Sequence, residues 1–172
     1  NPGSPTYVRG CGGGATGRAN IAGGTGLTSG GRATSNSAPP SDIDAGGGGG
    51  GAGGPGQNSP ANYHAGDGGP GLAVPQFPST DLGPAFPATW ATAVTSNGIY
   101  AGGGGGGTEL TNVPNGHGVG GDGGGGRGRH AGNPWPDNER NGTDYTGGGG
   151  GGYGYSPDAW ARGGKGVVII RY

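Results

Sequence analysis

The chain has 172 residues, a net charge of −1 and 53 glycines against 15 prolines. Its glycine share is close to collagen's, but no Gly-X-Y period runs through it, so a collagen triple helix is excluded. Leu, Ile, Val and Phe number only 18, too few for an ordinary globular core, and the balanced charge lacks the basic field that nucleic-acid binding needs.

In chain order, the stretch 1–5 is a proline-bearing lead-in, and Thr6, Tyr7, Val8 and Arg9 form the first expected strand. A short glycine run at 12–14 precedes a polar loop over 15–45. The first six-glycine run spans 46–51, from Gly46 to Gly51, and a short loop carrying Tyr63 and His64 follows it. After another glycine-rich stretch at 66–71 comes 72–100, the least glycine-rich part of the chain. There Pro75, Pro78, Pro84 and Pro87 forbid a long helix before residue 88. Residues 88–94 suit a helical turn or a short strand. The whole of 72–100 reads as an ordered Ω-like insertion with its own apolar cluster of Val74, Phe77, Phe86, Trp90 and Val94.

The second six-glycine run, Gly102 to Gly107, leads into a loop over 108–115 and a diluted run at 116–128. The loop 129–146 contains Trp135 between two prolines, then Asp137, Asn138, Arg140 and Tyr145. The third six-glycine run, Gly147 to Gly152, is followed by Tyr153, Tyr155 and Trp160. The segment 167–172 is the strongest expected strand, with 6–9 as its natural partner.

A glycine tract is compositionally a flexible linker. If ordered, it must be extended or polyproline-II-like, since each glycine disfavours helix by about 1 kcal/mol relative to alanine. Such a segment makes no internal hydrogen bonds, so its backbone groups need neighbouring segments as partners. Ordering also costs about 1–2 kcal/mol per residue in backbone entropy. The expected fold is therefore a mostly irregular domain, very low in helix, in which packed polyproline-II glycine helices form a polyglycine-II sandwich. A few short strands lie near the termini.

The expected organisation is one glycine-rich domain over 1–172, with 72–100 as an insertion. The chain starts at Asn1 and has no methionine, so it reads as a processed form or the C-terminal part of something longer. Cys11 is alone, which leaves no disulfide framework or thiolate metal cluster. The longest apolar stretch, 167–170, is too short to cross a membrane. His64, His117 and His130 lack metal-ligand spacing, and the lysine of 163–166 has no following Ser or Thr, so it is not a P-loop. No constellation points to an enzyme, a cofactor or a metal.

What remains is aromatic placement. Rings between glycine runs, beside acids and amides, supply contact area and directed hydrogen bonds. The candidate receptor-binding residues are Trp135, Asp137, Asn138, Arg140, Tyr145, Tyr153, Tyr155, Tyr63 and His64. The loops 108–115, 129–146 and 153–160 are expected to project together at one end.

The ending Arg162-Gly163-Gly164-Lys165-Gly166-Val167-Val168-Ile169-Ile170-Arg171-Tyr172 resembles the terminal motif of glycine-rich C-terminal domains in bacteriophage tail fibres. The alternation of glycine runs and loops is similar to tail-fibre tip adhesins built on a polyglycine-II sandwich. The resemblance implies a virion or extracellular location. Its partner would be a host surface glycan or outer-membrane protein, touched by the loops. The aliphatic C-terminal strand and the 72–100 insertion depart from the adhesins and leave open a structural subunit of a virion or extracellular filament.

Overall fold

A computed structural model describes residues 34–36, 43–60, 64–109, 116–129, 137–152 and 161–170. Among these the regular elements are short. Strands β1 (Thr34–Asn36) and β2 (Ile43–Ala45) pair antiparallel, as do β3 (Leu72–Ala73) and β4 (Ile99–Tyr100). The helices are α1 (Ser79–Leu82), a 3₁₀ turn at Gly83–Ala85, α2 (Ala88–Val94) and α3 (Asp137–Arg140). No helix among the described residues is long and apolar enough to cross a membrane.

The glycine segments supply the rest. Gly46, Gly49 and Ala52 donate their N–H groups to the carbonyls of Gly107, Gly104 and Ala101. Donors advance by three as acceptors retreat by three, so 46–52 and 101–108 run antiparallel. The same three-residue step recurs throughout. Gly66 and Gly69 donate to Gly46 and Gly49, and Gly103 and Gly106 donate to Gly69 and Gly66. Gly118 and Gly121 donate to Gly106 and Gly103. Successive residues of one segment thus address different neighbours, and every third residue returns to the same one.

Three parallel segments close on themselves. Gly102, Gly105 and Thr108 donate to Gly123, Gly126 and Arg129; Gly126 and Arg129 donate to Gly149 and Gly152; Gly149 and Gly152 donate back to Gly102 and Gly105. Residues 102–108 are buried, and backbone occupies the space a side chain would need. A Cβ on Gly104 would overlap the Gly150 carbonyl, and one on Gly103 the Gly49 carbonyl.

Read through these registers, the chain goes back and forth. It runs one way through 46–52, 65–71, 116–122, 139–143 and 161–165, and the opposite way through 53–57, 101–108, 123–129 and 147–152. The sequence places 139–143 in the loop 129–146. It is instead a traverse, with Glu139 and Arg140 accepting from Arg127 and Gly151, and Thr143 donating to Gly124.

The large buried apolar side chains, Trp90 and Val94, sit at one end of these traverses, in the stretch 72–100, whose ends meet where Leu72 faces Tyr100. Pro87 caps the start of α2, which begins directly after it. Trp90 and Val94, four apart on one helix face, are both fully buried. Burying side chains of this class stabilises by about 1.5–3 kcal/mol each. Phe86 stacks on Trp90 at 4.3 Å, and Tyr100 lies tilted against it at 6.2 Å. Thr95 ends α2 with φ of 59°, unusual for a β-branched residue.

The C-terminal segment differs from expectation. Residues 167–170 lie in no strand, and Val168 and Ile170 are 87% and 67% exposed. A strand needs a bonded edge, and its expected partner, 6–9, lies outside the described residues, as does the glycine run at 12–14.

Candidate functional site

One end of the lattice is defined by bonds between segment termini. Gly46 donates to Gly107 at 2.8 Å, Ala65 to Gly116 at 2.8 Å, and Gly66 to Gly46 at 2.9 Å. Thr108 donates to Arg129 at 2.9 Å, and Arg129 to Gly152 at 3.0 Å. Ala45 and Thr108, each with no exposed surface, form an isolated antiparallel bridge beside them. Thr108, Arg129 and Gly152 therefore lie together at this end, with Ala65 and Gly116 nearby. Of the connecting stretches, 110–115, 130–136, 153–160 and 61–63 lie outside the described residues. Tyr63, Trp135, Tyr153 and Tyr155 belong to those stretches, and so does Trp160.

His64 is described. It is exposed, and its carbonyl accepts from the buried Ser59 hydroxyl at 2.6 Å, which fixes the backbone just before the 65–71 segment. Asp137 and Asn138 open α3, and only their backbone is described. Glu139 carries an exposed carboxylate 3.5 Å from Arg127, an ion pair of the surface kind worth about 0–1 kcal/mol.

Two expected contact residues are placed elsewhere. Arg140 is only 4% exposed. Its carbonyl accepts from Gly151, and a Cβ on Gly126 would overlap that same carbonyl, so close backbone packing holds it inside the lattice. Tyr145 sits at the opposite end, in the turn between 139–143 and 147–152, with φ of 64°. Its carbonyl accepts the Trp90 indole N–H at 2.9 Å, and its ring lies 5.6 Å from Phe86. It joins the stretch 72–100 to the lattice.

The opposite end also holds the exit of the last traverse. Asp144 takes the Lys165 ammonium at 2.9 Å and the Lys165 backbone N–H at 3.2 Å, while Gly147 donates to the Lys165 carbonyl at 3.2 Å. The hydrogen bond from Lys165 holds the Asp144 carboxyl below its ordinary value, and the same bond raises Lys165. Burial raises the Tyr100 hydroxyl, which donates to the Phe77 carbonyl at 2.7 Å.

The residues that define the loop-bearing end are Thr108, Arg129 and Gly152, none of which stood out by chemistry. Their signal in the sequence is positional: each closes a glycine segment. A family model described as a glycine-rich domain matches residues 1–172. No curated protein and no solved structure matches the chain.

Proposed function

Since the chain belongs to the glycine-rich domain family over residues 1–172, we propose that it is the receptor-binding tip or terminal domain of a bacteriophage tail fibre, built on a polyglycine-II sandwich. The support for the sandwich is the three-residue step of the hydrogen bonds, since a helix with three residues per turn presents the same face at every third residue. The location is the virion, and the partner is a host surface glycan or outer-membrane protein. Adhesion needs no bond-making chemistry. It needs rings and polar groups presented on a base that does not move.

The observation that carries this reading is the bonding of Thr108 to Arg129 and of Arg129 to Gly152. Three stretches follow directly on these neighbouring residues, one holding Trp135 and another Tyr153, Tyr155 and Trp160, and the stretch with Tyr63 and His64 ends at Ala65 beside them. Because lattice positions are held by backbone contacts, loop sequence can vary without disturbing the base.

Trp135, Asp137 and Asn138 are the proposed contacts, with Tyr153, Tyr155, Tyr63 and His64 around them. Pro134 and Pro136 restrict the backbone beside Trp135, which lowers the ordering cost of presenting an indole. Replacing Trp135 by Ala should weaken adsorption of the purified domain to host cells by about ten-fold or more, with the melting transition unchanged. Unchanged adsorption by a folded variant would overturn the assignment. Loss of folding would show that Trp135 packs instead.

The second reading is a structural subunit of an extracellular or virion filament. It is favoured by the exposed Val168 and Ile170 at the opposite end, where a neighbouring subunit would cover them. Sedimentation of the purified domain separates the two readings: an adhesin tip stays discrete, and a filament subunit polymerises.

A further inference from the structure

We propose that Asn97 is a site of spontaneous succinimide formation, converting with time to aspartate and isoaspartate, and that the chemically identical pair Asn141-Gly142 is protected by the last lattice traverse. An asparagine followed by glycine is prone to this reaction because the next residue has no side chain to hinder attack by its nitrogen. The chain holds three such pairs, at Asn97-Gly98, Asn115-Gly116 and Asn141-Gly142; Asn115 lies outside the described residues, and the surroundings of the other two differ.

At Asn141 both reacting groups are held. The side-chain Oδ1 accepts the Arg162 N–H at 2.8 Å, and the Gly142 N–H donates to the Arg162 carbonyl at 2.8 Å. Arg162 thus clasps the carboxamide and the attacking nitrogen together. Gly142 and Gly98 are both buried with a backbone carbonyl close by, so the two Arg162 bonds are what set Asn141 apart. The nitrogen cannot swing onto the side-chain carbon until the traverse 161–165 lifts away.

Asn97 has no such clasp. It lies exposed in the turn between α2 and β4, and its carboxamide bonds to no described residue. The Gly98 nitrogen holds one long bond, 3.3 Å to the Thr95 carbonyl. In the reaction that nitrogen attacks the Asn97 Cγ and gives up its proton to water. The side-chain amide leaves as ammonia, and a five-membered imide forms. Water then opens the imide at either carbonyl, giving aspartate or isoaspartate. The net change consumes one water and releases one ammonia.

The outcome alters the insertion. A neutral turn gains a negative charge, and the isoaspartate form adds a methylene to the main chain. That extra atom falls next to Gly98, whose carbonyl accepts the Val74 N–H at 2.8 Å beside the β3–β4 pairing.

The test is peptide mapping by mass spectrometry of the intact domain, held at mildly alkaline pH and sampled over weeks. Conversion at Asn97 should outpace that at Asn141 on the order of ten-fold or more, because the two Arg162 bonds must open first. The same comparison in denaturant should bring the two rates together. Equal rates in the folded domain, or faster conversion at Asn141, would overturn the proposal, as would an Asn97 that stays intact while the denatured chain converts.

Discussion

Replacing Gly104 by Ala tests the lattice at its centre. The added Cβ would overlap the Gly150 carbonyl and come 3.2 Å from the Gly151 nitrogen, both backbone atoms. Backbone cannot rotate aside as a side chain can, so the segment 147–152 must shift. That shift puts at risk the bonds from Gly149 to Gly102, from Gly152 to Gly105 and from Gly126 to Gly149, at 2.9, 2.7 and 2.8 Å. At about 0.5–1.5 kcal/mol each, their loss amounts to roughly 3 kcal/mol. The lower entropy of the unfolded alanine chain offsets about 0.4–1 kcal/mol, leaving a net destabilisation of about 2–3 kcal/mol, a large part of a typical domain's 5–15 kcal/mol. Gly166 provides the control, because a Cβ there meets nothing within 4 Å, and Gly166→Ala should be neutral or gain about 0.4–1 kcal/mol. Chemical denaturation of both variants reads the difference. A Gly104→Ala protein within about 0.5 kcal/mol of the Gly166→Ala protein would refute the close-packing argument.

Trp90→Ala should cost about 3–5 kcal/mol, whereas Trp90→Phe keeps much of the packing but leaves the Tyr145 carbonyl without its indole donor, at about 1–3 kcal/mol. A neutral Trp90→Phe in the same denaturation assay would mean that this hydrogen bond contributes nothing. The Asp144–Lys165 contact should respond to pH at both extremes. Asp144 is depressed below 3.8, so its contribution is present above the unfolded carboxylate value and is lost as pH falls through the folded one. Lys165 is raised above 10.5, so its contribution is present below the unfolded lysine value and is lost as pH rises through the folded one. Protection of the Gly147 and Gly164 amides, taken as measured exchange relative to the intrinsic rate at each pH, should therefore fall at acid pH in the parent but show no such step in Asp144→Asn; an identical acid response in both would count against the contact.

The positions of the glycine segments and of 72–100 were legible, the first from the runs themselves and the second from lacking them. Pro87 marked the earliest start of α2, and the four-residue spacing of Trp90 and Val94 gave it a buried face. What the sequence did not carry was register. Glycine has no side chain to say which neighbour a residue faces, so the pairing of Gly46 with Gly107, or of Gly102 with Gly123, exists only as backbone hydrogen bonds. The same blindness explains the misplacement of Tyr145 and Arg140. Residues 139–143 contain a single glycine, Gly142, and so looked like loop. Yet that glycine sits where a Cβ would overlap the Gly148 carbonyl, and the four residues around it are accommodated as a traverse. Counting it reverses the end at which Tyr145 lies. The segment 167–170 had strand-like residues but needed an edge that composition alone cannot supply.

The three-residue step of the bonds makes the length of each run discontinuous in effect. Within 101–108, residues 102, 105 and 108 address one neighbour while 103 and 106 address another. Inserting three residues there would add one full repeat and leave each face aimed where it was, only farther along. Inserting one would turn every later donor by a third of a revolution, towards a segment whose carbonyls already have other partners. Change in such a chain is therefore easiest in steps of three residues, and each six-glycine run is two such steps long. Their common length makes them interchangeable cells of one frame, to which loops of any length can be attached.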